Sequence, residues 1–164
     1  MTPKKLEQKV VNELLPRLQN EFDAFAFYRS ASNWCENQGY KFAAKFFATE
    51  SASELEHAKG IEKYLTDWNV IPLLPTIDTP VLKFSSLVDV IEQAYEMEYS
   101  LYEAYEQTAK KMLTDDLCTF SLIQKYLNIQ LEAVAEYSNM LNELALIDSN
   151  DKFQVYYFEK RVFK

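Results

Sequence analysis

Four stretches of the chain repeat apolar residues at steps of three and four, and each stripe is interrupted near its middle by a residue able to bind a cation. One runs Leu14, Leu18, Glu21, Phe25, Tyr28, Ser32, Cys35, and a second runs Phe47, Glu50, Glu54, His57, Ile61, Tyr64, Trp68. A third runs Leu87, Ile91, Ala94, Glu98, Leu101, Tyr105, Met112, and a fourth runs Ile123, Leu127, Gln130, Val134, Tyr137, Leu141, Leu144. Such steps place every member of a stripe on one face of an α-helix. Folding then points Glu21, Glu54, His57, Glu98 and Gln130 into a shared interior. An unpaired buried ion costs several kcal/mol, and three carboxylates held together also repel one another. The pattern calls for a cation among them.

The remaining composition narrows the setting. At 164 residues the chain fits one domain spanning 1–164, with a core large enough to need no staples. Only two glycines occur, which favours long uninterrupted helices and an all-α fold. The net charge of −8 with no basic run argues against nucleic acid as a partner. Cys35 and Cys118 lack zinc-knuckle spacing and the density of a disulfide framework, so both read as buried free thiols. Met1 to Lys5 leads into polar sequence without an apolar signal core. No apolar run is long enough to span a membrane, and a cytoplasmic protein is the expectation.

Along the chain, Thr2-Pro3 reads as an N-cap and first-turn proline, with a helix to about Gln38 and Gly39 as its stop. Pro16 inside that span predicts a kink, or else a helix starting near Asn12 to Leu15. A second helix runs from Tyr40 to about Trp68, antiparallel to the first because the turn is so short. The segment from Asn69 to Phe84 carries Pro72, Pro75 and Pro80 and reads as extended. Sixteen extended residues cover roughly 50 Å, the length of a helix of about thirty residues, so the segment can cross the bundle and start the third helix parallel to the second. Ser85-Ser86 caps that third helix, which ends near Leu113. A turn at Thr114-Asp115-Asp116 precedes a fourth helix from Leu117 to Leu146. After a break at Asp148 to Asp151, the aromatic-rich tail from Lys152 to Lys164 reads as a short fifth helix. Its Tyr156, Tyr157, Phe158 and Phe163 are apolar enough to seek burial.

The two halves repeat. Glu21 and Glu54 lie 33 positions apart, Glu98 and Gln130 lie 32 apart, and a tyrosine follows seven residues after each first glutamate, Tyr28 and Tyr105. Seven residues are about two helical turns, so each tyrosine stays on its glutamate's stripe. Glu54-x-x-His57 aims two side chains from adjacent turns at one point. His57 is the only histidine. Alone, a histidine on a core face also reads as a hydrogen-bonded core residue; Glu21 and Glu98 at the same mid-helix level shift the reading towards a ligand. Carboxylate-bridged di-metal bundles take one Glu from each of two helices and Glu-x-x-His from each of the other two. This chain keeps both single glutamates and one such pair, and has Gln130 and Ala133 in place of the second. Oxygen-rich donors with one imidazole suit iron or manganese better than structural zinc. Glu54 is placed to bridge, and the missing donors leave coordination positions open for oxidant.

These residues resemble the ferritin family, in particular its non-haem members of bacterial and heavy-chain type. The likeness rests on Glu21 to Tyr28, Ala48 to Lys59, Ser85-Ser86-Leu87, Tyr95 to Glu98 and Tyr126 to Gln130, and covers about residues 8 to 160. It implies a ferritin-like four-helix bundle with one long crossover and a short C-terminal fifth helix. It also implies Glu21, Glu54 and His57 as ligands of a first iron, and Glu54 and Glu98 as ligands of a second, with Gln130 beside it. Tyr28 and Gln130 become the implied catalytic side chains, Tyr28 hydrogen-bonded to a ligand and able to supply an electron. The implied reaction oxidises Fe(II) with dioxygen or hydrogen peroxide at two irons per subunit and deposits ferric mineral inside a 24-subunit shell.

Some positions depart from the family pattern. Leu55 stands where a haem-ligating methionine would be, so no haem is expected. Ser53, Ile129 and Ala133 replace most carboxylates of a third iron site, leaving Glu132. Thr119 and Leu122 do not supply an acidic channel ring, and Asp115 and Asp116 read as a solvated turn or as a substitute for it. Glu50 and Glu56 read either as guides for iron or as a solvated face. Two other functions stay in view: a di-iron protein that consumes oxygen or peroxide without storing mineral, and a catalytically idle shell subunit whose polar core residues only fix register.

Overall fold

Two apolar clusters occupy opposite ends of a helical bundle, and a polar level separates them. The computed structural model describes residues 1–78 and 83–164; five helices and no strand occur among the described residues. α1 (Gln8–Gln38), α2 (Lys41–Asp67), α3 (Leu87–Asp115) and α4 (Leu117–Leu144) make the bundle, and α5 (Lys152–Val162) closes one end. One cluster joins Tyr28 and Cys35 of α1, Phe47 of α2, Leu87 and Ala94 of α3, Tyr137 of α4 and Phe158 of α5. The other joins Leu14 and Leu18 of α1, Ala58 and Ile61 of α2, Tyr105 and Met112 of α3, and Ile123 and Tyr126 of α4. Each bundle helix passes from one cluster to the other through a short interval. That interval contains Glu21 in α1, Glu54 and His57 in α2, Glu98 in α3 and Gln130 in α4. Burial of each large apolar side chain is worth about 1.5–3 kcal/mol, so the clusters set helix register, and register carries the polar residues inward at one level.

The connections follow local chemistry. Gly39 adopts a left-handed conformation (φ 88°), which lets the Tyr40 N–H reach the Cys35 carbonyl at 2.9 Å and end α1. The side chain of Ser86 accepts from Asp89 N at 3.1 Å to cap α3, and Asp116 accepts from Thr119 N at 2.7 Å to cap α4. Because the start of α3 joins the cluster that holds the start of α2, the two helices run parallel and their connection traverses the bundle. Its described part is without regular structure, and Gln19 of α1 donates to its Thr76 carbonyl at 3.2 Å. Pro80 lies outside the described residues.

α2 lacks a side-chain cap of its own. Glu159 of α5 supplies one from a distance: its buried carboxylate accepts Phe42 N at 2.7 Å and Ala43 N at 3.0 Å. A carboxylate at a helix N-terminus satisfies free N–H groups and opposes the positive end of the helix dipole. α5 is thereby fixed by a charged contact as well as by Phe158 and Phe163.

Several expectations need correction. Thr2-Pro3 does not begin α1; residues 1–7 lie outside any helix, and Glu7 precedes the first turn. Leu6 N donates to the Trp68 carbonyl at 3.3 Å and Asn69 Nδ2 to the Lys4 carbonyl at 2.9 Å, so contacts with the end of α2 hold this segment out of helix. Nor does the helix start near Asn12 to Leu15, since α1 begins at Gln8 and contains Pro16. Cys35 is buried but Cys118 is exposed, because it lies in the first turn of α4 off the apolar stripe. In the C-terminal tail, Phe158 of α5 and Phe163 just after it are buried while Tyr156 and Tyr157 face outward. No helix among the described residues is long and apolar enough to cross a membrane.

Candidate metal centre

All four helices deliver polar groups to the level between the two clusters. Exposure is 0 % for Glu21, 3 % for Glu54, 1 % for Glu98 and 1 % for Gln130, whereas the His57 side chain retains 18 %. Glu21, Glu54 and His57 form the tight group, with one donor atom from each lying within 4.8 Å of the others. His57 Nδ1 is 2.9 Å from Glu54 Oε2 and 3.4 Å from Glu21 Oε2. The shorter contact is the hydrogen bond, and the longer one brings charge near without satisfying Glu21 Oε2. Glu98 and Gln130 stand outside this group of three, but they share a cavity of about 170 Å³ with Glu54 and His57. The cavity opens along the seam between α2 and α4, past Glu50, Ser53, Ile129, Glu132, Ala133 and Glu136.

Three donor oxygens are buried without a hydrogen-bond partner: Glu21 Oε2, Glu98 Oε2 and Gln130 Oε1. Buried oxygens are ordinarily paired, and leaving one unpaired costs about 1–3 kcal/mol, more when it is charged. The opposite oxygens are held by tyrosines in a crossed arrangement. Tyr28 of α1 donates to Glu98 Oε1 of α3, and Tyr105 of α3 donates to Glu21 Oε1 of α1. Each carboxylate is thus anchored at one oxygen and free at the other. That is the arrangement a cation requires: an oriented ligand with an available lone pair. Oxygen donors plus one imidazole fit iron or manganese, and no thiol lies in the group.

Titration behaviour has the same origin. Burial pushes the Glu98 carboxyl up to about 7, against the lowering effect of the Tyr28 hydrogen bond. Burial also raises Glu54, outweighing its hydrogen bond from His57. For His57, burial disfavours the charged ring, but the adjacent Glu21 carboxylate and the hydrogen bond to Glu54 prevail and raise it to about 10. These groups hold protons near neutral pH, and a divalent cation competes for the same lone pairs.

Among the other singled-out residues, Glu50 and Glu132 reach the cavity mouth, whereas Glu56 is exposed and pairs with Lys59 at 2.6 Å. Asp116 is the α4 cap, and the Thr119 hydroxyl, 2.8 Å from that of Tyr64, is buried beneath it. Ala133 lines the cavity without a donor. Sequence reasoning noted the register of Tyr105 but gave neither it nor Tyr126 a role at the site. Tyr105 has the same seven-residue register to Glu98 as Tyr28 has to Glu21, and that was a usable signal. Tyr126 stacks on Tyr105 with centroids 5.3 Å apart and donates to the His57 carbonyl at 2.7 Å.

Comparison with known proteins identifies relatives of the whole chain. The ferritin-like domain profile matches residues 11–147. A probable bacterial non-heme ferritin-like protein of Haemophilus influenzae is 28 % identical over 148 residues, covering 90 % of each chain. The bacterial non-heme ferritin of Campylobacter jejuni is 30 % identical over 143 residues, covering 87 % of this chain and 86 % of that one. An open-pore ferritin from the archaeon Archaeoglobus fulgidus superposes with a TM-score of 0.89 at 20 % identity, covering 96 % of both chains. At that identity the superposition speaks for the fold.

Proposed function

The chain belongs to the ferritin family, and from that premise we propose that it is an iron-storage subunit that oxidises Fe(II) at the α1–α4 polar level and passes ferric ion to a mineral inside a homo-oligomeric shell. The observation that carries this reading is the set of three buried, unpartnered donor oxygens on Glu21, Glu98 and Gln130 around the Glu54–His57 pair. Glu21, Glu54 and His57 hold one ferrous ion. Glu54 and Glu98 line the same cavity and hold a second, with Gln130 beside it. Three carboxylates against two ferrous ions leave the cluster nearly neutral, so binding relieves the mutual repulsion of the acids. Two ferrous ions supply two electrons, which reduce dioxygen with two protons to hydrogen peroxide, or reduce peroxide with two protons to water. Tyr28 orients Glu98, and Tyr105 orients Glu21. A 24-subunit shell in the cytoplasm belongs to the same reading.

Stopped-flow absorbance on adding Fe(II) to the assembled protein, followed by particle sizing and an iron count per particle, tests it. The expected result is oxidation in seconds or faster and a large particle that accumulates iron far beyond two per chain. Fast oxidation by a small particle that retains no mineral would assign the chain to oxygen or peroxide removal. Absence of oxidation would leave an idle shell subunit.

A further inference from the structure

Gly60 and Tyr126 donate nothing to the metal centre, yet they meet directly beside it. Gly60 lies in α2 three residues after His57, where glycine weakens a helix relative to alanine. A Cβ at Gly60 would collide with the Tyr126 hydroxyl, while the ring carbon behind it, Cζ, would stay at an ordinary 3.7 Å. That hydroxyl sits there because it donates to the main-chain carbonyl of His57 at 2.7 Å. The ring has little freedom to swing aside. It is 6 % exposed, lies 8° from parallel on Tyr105, and presents itself edge-on to His57 with centroids 5.9 Å apart. Tyr105 in turn donates to Glu21. One tyrosine of α4 therefore touches the main chain that carries His57, the imidazole itself, and the group that orients Glu21.

We infer that Gly60 and Tyr126 form a clamp across the α2–α4 seam, in which a position without a side chain admits the Tyr126 hydroxyl onto the His57 carbonyl and thereby fixes the Glu54–His57 turn. Tyr126 is a positioning residue. It acts at one end of the same seam along which the cavity opens, so it also sets how far α2 and α4 stand apart there. The geometry is independent of the ferroxidase reading; only the consequence for metal binding rests on it.

The test is a double-mutant cycle on the full chain, with Gly60→Ala, Tyr126→Phe and both together. It is read by thermal unfolding and by Co(II) titration followed through the visible absorption of the bound ion. Gly60→Ala alone should lower the melting temperature, because the new methyl displaces the hydroxyl. In the Tyr126→Phe background the same change should leave the melting temperature equal or higher, since the colliding atom is gone and alanine is the better helix former. Tyr126→Phe should weaken Co(II) binding by about 10-fold, in the range for loss of an outer partner, and alter the absorption band, with the ring stack preserved. If Gly60→Ala does not fold, the double variant should. Equal loss from Gly60→Ala in both backgrounds, equal failure of both proteins to fold, or an unchanged Co(II) spectrum in Tyr126→Phe would overturn the clamp. A wild-type protein that binds no Co(II) would instead defeat the metal-centre reading, and the melting cycle would still decide on the clamp.

Discussion

The α1–α2 and α3–α4 hairpins share a backbone plan but contribute differently to the centre. The first brings Glu21, Glu54 and His57 into one tight group. The second brings Glu98 and Gln130 to the cavity wall, with donorless Ala133 where a repeat of His57 would fall. Near-symmetric packing thus supports an asymmetric donor set: three strong ligands on one side, one carboxylate and one neutral amide on the other. The difference teaches that helix register and ligand strength are separable. The two apolar clusters impose the register on all four helices, whereas the side chain at each mid-level position decides how tightly that side holds a cation. The expected consequence is unequal binding, with a first ion held mainly by α1–α2 and a second held loosely and exposed to oxidant.

The largest expected effect comes from removing the residue that serves both sides. Glu54→Ala should lower Co(II) or Fe(II) affinity by about 100-fold or more, since losing even an outer partner costs 10–100-fold. Fe(II) oxidation should fall with it. Calorimetric titration and stopped-flow absorbance check this together. Retention of two binding events at wild-type strength would show that the halves act independently.

The protonation of the two sides provides a second separation. Glu98, Glu54 and His57 all have folded-state values raised above their ordinary ones. Groups raised in this direction bind protons more tightly when folded, so their stabilising effect is complete below the ordinary value and is lost as pH rises through the folded one. For Glu98 that window runs from 4.5 to about 7, and for His57 from 6.5 to about 10. Without metal, the protein should therefore lose stability as pH rises from 4.5 to 10, with Glu98 contributing on the order of 3 kcal/mol to the fall. Saturating Co(II) should reverse the trend, because the metal takes only the deprotonated ligands. Denaturant unfolding across pH, repeated with Glu98→Gln, isolates the acidic part of the slope on the α3–α4 side. An unchanged slope in that variant would remove Glu98 from the account.

How much of this was legible beforehand differs from residue to residue. The mid-stripe positions of Glu21, Glu54, His57, Glu98 and Gln130 follow from periodicity alone, because apolar neighbours three and four positions away decide which face turns inward. Gly39 and Ser86 are legible as stop and start signals for similarly local reasons. The true start of α1 is not, because contacts of Leu6 and Lys4 with the far end of α2 hold the first residues out of the helix. The Glu159 cap on α2 joins positions more than a hundred residues apart, and no local pattern announces it. The crossed pairing of Tyr28 with Glu98 and Tyr105 with Glu21 lies between these cases: the register is visible, but the partner depends on how the hairpins face each other. Gly60, a lone glycine inside a helical stripe, is the kind of anomaly that marks a close approach, and the sequence reading left it unexamined.

Equalising the two halves is the constructive counterpart of breaking them. Gln130→Glu with Ala133→His would give α4 the same Glu-x-x-His pair that α2 carries. It should strengthen the second Co(II) by at least about 10-fold, since even one outer partner is worth 10–100-fold and two direct donors are added, and leave the first little changed. Two calorimetric steps that move closer together would support the donor-set explanation. Steps that remain as far apart as in the wild type would place the asymmetry in the backbone.

The smallest effect compares the two tyrosines. Each of Tyr28→Phe and Tyr105→Phe removes one hydrogen bond from a buried carboxylate, a loss of about 1–3 kcal/mol. Their surroundings differ. Tyr28 lies among aromatic rings, with Phe47 at 6.0 Å and Tyr137 at 6.4 Å, and its loss would leave both Glu98 oxygens unpartnered. Tyr105 lies beneath the Arg17 guanidinium at 5.7 Å, and Glu21, though equally without a second hydrogen bond, keeps the His57 ring as a nearby charge partner at 3.4 Å. Tyr28→Phe should therefore destabilise the metal-free protein more, by about 1 kcal/mol. The gap should also depend on pH, because the Tyr28 hydrogen bond holds Glu98 down. Without that bond Glu98 takes up a proton more readily, which relieves the unpartnered charge at pH 5 but not at pH 8. Unfolding free energies of the two variants at both pH values decide the matter: a gap that widens with pH ties Tyr28 to the charge state of Glu98, and a constant gap reduces it to packing.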